Sequence, residues 1–293
     1  MNNFSKIFSI FSLGILFASC SKSDPPLVFP IREYSVQYVT DLDSVDKFIN
    51  THYLTVDTDF NVVMPKIPVG GSQQSIRVQT DYPLQFKMVS KNDVNYKVYY
   101  LSLREGVNER PSRVDSVYVA YRGVLTNDTQ FDFAQNPVWF ELESVVPGWP
   151  EIIPLFKTGN FDTSDGPNPA TFTDFGAGVM FLPSGLGYFD SSPSGAIPAY
   201  TPLIFSFKLL KQRYRDHDRD GILSKDEVDP KVPNQDPKDY DTDKDGFPNM
   251  FDFDDDGDNF LTRKEIHKNP DGTIIFEDTD QDGIPNYLDP DNH

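Results

Sequence analysis

Asp115-Ser116-Val117-Tyr118-Val119-Ala120-Tyr121-Arg122-Gly123 is the stretch that decides the fold. Its β-branched and aromatic side chains pack well on a pleated surface and lose rotamer freedom in a helix, so it reads as a strand. Similar runs stand at residues 98–103 before it and at 138–142, 179–182 and 203–210 after it. A single short helix is predicted over residues 149–156. Strands that outnumber helices in this way predict an α+β class, an antiparallel sheet packed on one short helix.

Working outward, Tyr121-Arg122-Gly123 is followed by Gln130-Phe131-Asp132, then by Val145-Val146-Pro147-Gly148-Trp149, and then by residues 183–205 with Tyr188, Ile197-Pro198 and Leu203-Ile204-Phe205. In that order these blocks resemble the FKBP-type prolyl isomerases, over about residues 96–211. The resemblance implies an FKBP-like sheet wrapped on its helix. It implies a pocket with Trp149 as floor and Tyr121, Phe131, Val145, Val146 and Phe205 as walls, with Asp132 at the rim and Ile197 closing the side. Tyr188 would offer its hydroxyl, and Val146 its backbone N–H, to substrate carbonyls. Rotation about an Xaa-Pro amide makes and breaks no bond, so no catalytic cofactor is expected, only a cavity that fits the twisted amide better than the planar one. Val138 stands where the family has an aromatic wall, residues 160–175 read as an insertion that could border the cleft, and Pro154 falls inside the predicted helix.

Charge separates the C-terminal part from the rest. Residues 213–293 hold 24 Asp and Glu against 10 Lys and Arg, a net of −14 out of −19 for the chain. Without a basic stripe there is nothing to release counterions from phosphates, so nucleic acid is excluded as a partner. Asp216, Asp218, Asp220, Ile222, Ser224 and Glu227 instead fall at the ligand positions of a twelve-residue EF-hand loop, with Gly221 at its sharp turn. Asp254, Asp256, Asp258, Phe260, Thr262 and Glu265 repeat the offsets, with Asn259 in place of the glycine. Asp241, Asp243, Asp245, Phe247 and Asp252 form a third template, and Asp278, Asp280, Asp282, Ile284 and Asp289 a fourth. These two resemble thrombospondin type 3 calcium repeats, because Pro248 and Pro285 discourage an exiting helix. Hard oxygen ligands at alternating positions predict structural Ca²⁺, and so few apolar residues accompany them that the metal must supply much of the stability.

At the other end, Lys6 and the apolar run 7–18 have the layout of a secretory signal peptide, too short to span a bilayer. Ala18-Ser19-Cys20 resembles the lipobox of bacterial lipoproteins, which makes Cys20, the chain's only cysteine, the expected lipidation site. The chain as a whole resembles isomerase lipoproteins of Bacteroidetes-like bacteria.

The domain reading is a signal peptide at 1–20, a tether and small N-terminal region at 21–90, the isomerase domain at 91–211 and the calcium module at 213–293. Within the second of these, a short amphipathic helix is predicted behind Asp43 or Ser44, and His52 is expected to be a packed or surface residue. The function expected is prolyl isomerisation on Xaa-Pro segments of exported proteins by an extracytoplasmic, outer-membrane lipoprotein. The alternative is a non-catalytic peptide-binding scaffold with a calcium-dependent contact to a cell-surface partner.

Overall fold

The computed structural model describes residues 30–163 and 170–292, so Cys20 and the signal-peptide reading lie outside the described residues. The chain divides into the units Met1–Ile31 and Arg32–His293, and the second carries everything that follows. Its elements are α1 (Tyr34–Thr51), β1 (Thr55–Val56), β2 (Val62–Val63), β3 (Leu84–Lys91), β4 (Val94–Arg104), β5 (Ser116–Leu125), β6 (Gln130–Glu141), α2 (Trp149–Ile152), β7 (Asn160–Asp162), β8 (Thr171–Thr173), β9 (Gly176–Leu182), β10 (Leu203–Arg213), β11 (Ile266–Lys268) and β12 (Ile274–Phe276). Six of the strands form one antiparallel sheet in the order β3-β4-β9-β10-β5-β6. Among the described residues no helix is long and apolar enough to cross a membrane.

The sheet is buried on both faces. Successive side chains of a strand point to opposite sides, and on β9 this sends Met180 and Leu182 into one core and Ala177, Val179 and Phe181 into another. Strand β10 divides likewise, with Phe205, Phe207 and Leu209 on the first side and Ile204 on the second. The first core rests on Trp149 and Ile152 of α2, the second on Val45, Phe48 and Ile49 of α1. Full burial of each such side chain is worth about 1.5–3 kcal/mol. The sequence reading sets a small N-terminal region apart at 21–90, and from Arg32 onward that region packs on the same sheet. That region supplies α1 as the second covering layer and β3 as an edge strand of the same sheet.

Helix α1 also begins at Tyr34, well before the predicted start at Asp43 or Ser44. The cause is polar burial. Its inward face reads Gln37, Asp41, Val45, Phe48 and Ile49, and the first two carry no apolar signal. Asp41 accepts hydrogen bonds from the Ser184 N–H at 2.7 Å, the Ser184 hydroxyl at 2.6 Å and the Gln37 amide at 2.7 Å. Burial still pushes its carboxyl pKa up, against the pull of those bonds. Ser44, read as a cap, lies mid-helix and donates to the Thr40 carbonyl. His52 is packed, stacked on Phe48 at a ring separation of 3.9 Å.

Helix α2 is a single turn. Over the predicted span 149–156 the α-helix ends at Ile152 and a 3₁₀ turn, Ile153–Leu155, replaces the rest. Pro154 sits in the first turn of that 3₁₀ segment, where its missing N–H has no partner to lose.

Asp41 ties α1 to the turn that leads into Tyr188, and it can be tested without touching the cleft. Asp41→Ala leaves buried donors on Ser184 and Gln37 unsatisfied, and a loss of about 1–3 kcal/mol is expected. Asp43→Ala, exposed on the same helix, should change stability by less than about 0.5 kcal/mol. Equal urea midpoints for the two variants would contradict the anchoring role.

Candidate functional site

Above α2 opens a cleft of ≈ 770 Å³. Its floor is Trp149, which is 3% exposed. The rings of Tyr121, Phe140 and Phe205 stand nearly perpendicular to the indole at 5.5, 5.7 and 5.3 Å, and Phe131 meets Phe205 edge-on at 5.4 Å. Edge-to-face contacts are the favoured arrangement of aromatic quadrupoles, so these rings hold one another in a fixed apolar box. Strand β5 delivers Tyr121, β6 delivers Phe131 and Phe140, and β10 delivers Phe205. Gly123 makes room for the wall, since a Cβ there would stand 2.5 Å from the Phe131 ring.

Polar groups gather at the rim. The Tyr121 hydroxyl donates to Asp132 Oδ2 at 2.6 Å. Burial, and then that bond, push the hydroxyl's pKa far up, so it stays a neutral donor. Tyr188 is 37% exposed at the mouth, its pKa raised by burial and by the Asp132 charge. Val145 and Val146 line the side, following the 3₁₀ turn Leu142–Ser144. All the pocket residues named from the sequence line the cleft except Ile197. That side chain is buried in the core behind it, with its N–H donated to the Ser194 carbonyl.

The sequence reading missed Phe140. It looked for an aromatic wall at Val138, which lies outside the cleft, whereas the ring comes two residues later on the same strand face. The pairing of β5 with β6 shifts register between Val119↔Val138 and Tyr121↔Ala134, and this bulge re-aims the strand. A second aromatic at i+2 was the available signal. Nor do the described residues of the 160–175 insertion line the cleft. Its described ends pair as β7 and β8, with Phe172 beside Tyr118 at 6.0 Å.

The acidic segment folds into four loops of one conformation. In each, the N–H at position 2 donates to the side chain at position 9: His217 to Ser224, Thr242 to Asn249, Asp255 to Thr262 and Thr279 to Asn286, at 2.9–3.1 Å. Position 4 takes a positive φ in all of them, at Arg219, Lys244, Gly257 and Gln281, and position 6 does so at Gly221, Gly246, Asn259 and Gly283. Asn259 at 76° fills the glycine's place because asparagine tolerates the left-handed region. The EF-hand likeness stops at the loop. The first loop is entered from β10 and left by a turn, and the second is left by the 3₁₀ segment Thr262–Lys264, with no flanking α-helix at either.

Carboxylate oxygens converge in each loop. Asp241, Asp243 and Asp245 lie within 4.8 Å of one another, as do Asp254, Asp256 and Asp258, and Asp278, Asp280 and Asp282. The remaining cluster joins Asp218, Asp220 and Glu227 of the first loop to Asp255. Asp216 lies beside Asp218, Asp252 beside Asp245 and Asp243, and Glu265 beside Asp256, each outside these tight groups. Asp289 joins no such cluster and accepts the Asp291 N–H. Burial first, and then neighbouring carboxylates, push Glu227 up to about 10, Glu265 to about 8, Asp218 to about 7 and Asp256 to about 6. Two like charges 4 Å apart repel by about 4 kcal/mol at an effective dielectric of 20. Such groups must take up protons or a cation. An oxygen-only donor set with buried, unpartnered oxygens on Asp218, Asp220, Glu227 and Glu265 fits a hard divalent ion such as Ca²⁺.

The module starts at the wall of the cleft. Arg215 donates its N–H to Asp115 and pairs with Glu141 at 3.2 Å, while His217 lies 3.2 Å from Glu143. Arg113 bridges Glu151 of α2 and Asp236 of the module. Arg213 and Arg215 thereby stand on the cleft's rim, with the Arg213 guanidinium over Trp139.

Comparison with known proteins agrees with this geometry. Residues 107–210 match the family model for FKBP-type peptidyl-prolyl cis-trans isomerases, and residues 217–275 match the one described as BamM C-terminal. A probable FKBP-type isomerase, FkpA, of Neisseria meningitidis is 30% identical over 115 residues, 38% of this chain and 36% of the relative. The outer membrane protein MIP of Legionella longbeachae is 27% identical over 126 residues, 42% of this chain and 46% of the relative. A peptidyl-prolyl isomerase structure from Pseudomonas syringae aligns with 63% of this chain and 98% of its own, at 16% identity and a TM-score of 0.39. The chain thus spans less than half the length of these curated relatives. The aromatic residues that build the cleft thus fall within residues 107–210, the part of the chain similar to FKBP-type peptidyl-prolyl cis-trans isomerases.

Proposed function

We propose that the whole chain is a prolyl isomerase acting on Xaa-Pro segments of exported proteins, held at a membrane through Cys20 and ordered at its C-terminus by calcium. The observation that carries the catalytic reading is the Trp149 floor boxed by Tyr121, Phe140 and Phe205. A planar amide owes its barrier of about 18–20 kcal/mol to resonance. Its polarised carbonyl and nitrogen are best solvated by water. An apolar box removes that water and so favours the twisted amide, whose resonance is broken. The Tyr188 hydroxyl and the Val146 N–H would hold the substrate's carbonyls, while Asp132 fixes Tyr121 as a wall.

Trp149→Ala is expected to lower kcat/KM at least about tenfold, equivalent to about 1.4 kcal/mol of transition-state stabilisation. Tyr188→Phe removes one hydrogen bond, worth about 0.5–1.5 kcal/mol, and should cost between about two- and thirteenfold. Near-UV circular dichroism checks that both variants remain folded. A wild-type protein that binds proline peptides without accelerating their isomerisation would instead support the scaffold reading.

Membrane attachment rests on Ala18-Ser19-Cys20 behind the apolar run 7–18, and on a relative named as an outer membrane protein. The mature protein is expected to begin at an acylated Cys20. Mass spectrometry of the native N-terminus checks this, and an unmodified chain beginning elsewhere would contradict it. One acyl chain binds a bilayer only marginally, so more than one is expected.

Calcium binding rests on the four loops of shared conformation and on the buried, unpartnered carboxylates of the two that begin at Asp216 and Asp254. Calorimetry on the full chain is expected to register several ions, with dissociation constants on the order of 10⁻⁴ to 10⁻³ M, the range of extracellular modules. Glu265→Gln should remove or weaken one ion. No heat and no change in circular dichroism at millimolar calcium would sink this part of the reading.

A further inference from the structure

The sequence assigns Asp255 no role. It stands between two expected ligands of the second loop, Asp254 and Asp256, and alternation along an extended loop points it away from them. The structure carries it to the first loop, where its carboxylate lies within 4.8 Å of those of Asp218, Asp220 and Glu227. All four residues are buried, with exposures of 6% for Asp218, 4% for Asp220, 3% for Glu227 and 1% for Asp255. Asp218 Oδ2, Asp220 Oδ2 and both oxygens of Glu227 have no hydrogen-bond partner, and beside the Asp255 carboxylate stands the Asn249 amide.

From this cluster we propose that Asp255 is an additional carboxylate ligand of the calcium ion in the first loop, beyond that loop's own four, so that this site is built from two repeats and staples them together.

The proposal rests on the calcium reading above and adds which residues share one ion. Carboxylate oxygens left without donors inside a protein are costly unless a cation meets them. Asp255 is held in place from its own loop by its N–H, which donates to Thr262 Oγ1 at 3.0 Å. Position 2 is occupied by His217 in the first loop and by threonine in the other two, so only here can it donate a carboxylate outward. Tyr240 and Tyr287 pack around the same point, each with its hydroxyl pKa raised by burial and, in part, by the Asp255 charge. Among the charges acting on the cluster, Lys268 offsets Asp220 only in part. With one carboxylate more than the second loop offers, this site should be the tightest of the module, because ligand charge sets calcium affinity. Closing it requires that the second loop already be folded against the first.

The test uses the full chain, titrated with calcium by calorimetry. Asp255→Asn is expected to weaken one ion at least tenfold, as Glu227→Gln does. The pair Asp255→Asn with Glu227→Gln should lose one ion, and the pair Asp255→Asn with Glu265→Gln should lose two. Thermal melts add a readout of opposite sign. In chelator Asp255→Asn should melt above the wild type, since a buried carboxyl crowded by its neighbours is gone, and in millimolar calcium it should melt below. Unchanged calcium uptake in Asp255→Asn overturns the proposal. So does a reversal of the two pairs, which would place Asp255 with its own loop's ion. A wild-type chain that takes up no calcium at all overturns the calcium reading and this inference with it.

Discussion

Strand β10 is hydrogen-bonded along both edges, to β9 on one side and to β5 on the other, and the parts of this protein meet through that double pairing. It puts Phe205 against Trp149 on one face of the sheet and Ile204 under α1 on the other. It then runs past Arg213 into Arg215 and the first acidic loop without a linker. A strand that is paired on both sides and covered on both faces cannot shift by a residue without turning its whole apolar set the wrong way. Cleft and loops are therefore positioned by one rigid element.

The proposed isomerisation uses that rigidity in the simplest way open to a reaction that forms no bonds. Shape and apolarity have to be held against the substrate's preference for planarity, and interlocked rings do this better than flexible aliphatic side chains. The few polar groups stand at the rim, where Asp132 engages Tyr121 and leaves Tyr188 at the mouth. In the acidic loops the requirement is opposite. There the fold brings carboxylates together at a cost that only protons or a metal can offset, and the arginines and Lys238 at the junction neutralise Glu141, Glu143 and Glu151 but leave the loop carboxylates to their ligand.

How much of this was legible in the sequence follows from which interactions leave a periodic trace. Strand alternation and the blocks around Tyr121, Val146 and Trp149 located the sheet and nearly all of the cleft. The loop templates located the acidic clusters, because ligand spacing is local. What stayed hidden depended on contacts between distant segments. The first half of α1 faces inward with Gln37 and Asp41, which look like surface residues until Ser184 is brought to them. Phe140 takes the place of the wall sought at Val138, two residues further on and past the bulge between β5 and β6. Ile197 lies behind the cleft, buried in the core after an exposed turn at 191–196. Asp255 belongs to a cluster that exists only once two repeats pack together.

The central claim is that the aromatic cleft of this chain lowers the barrier to rotation about an Xaa-Pro bond. It is tested most directly by exchange NMR on a proline peptide with a catalytic amount of the wild-type full-length protein. Uncatalysed interconversion takes tens to hundreds of seconds at 25 °C. The account expects cis and trans resonances to exchange on a timescale of about a second or less, in proportion to the protein added. Peptide resonances that shift on binding while their exchange stays at the uncatalysed rate would contradict it.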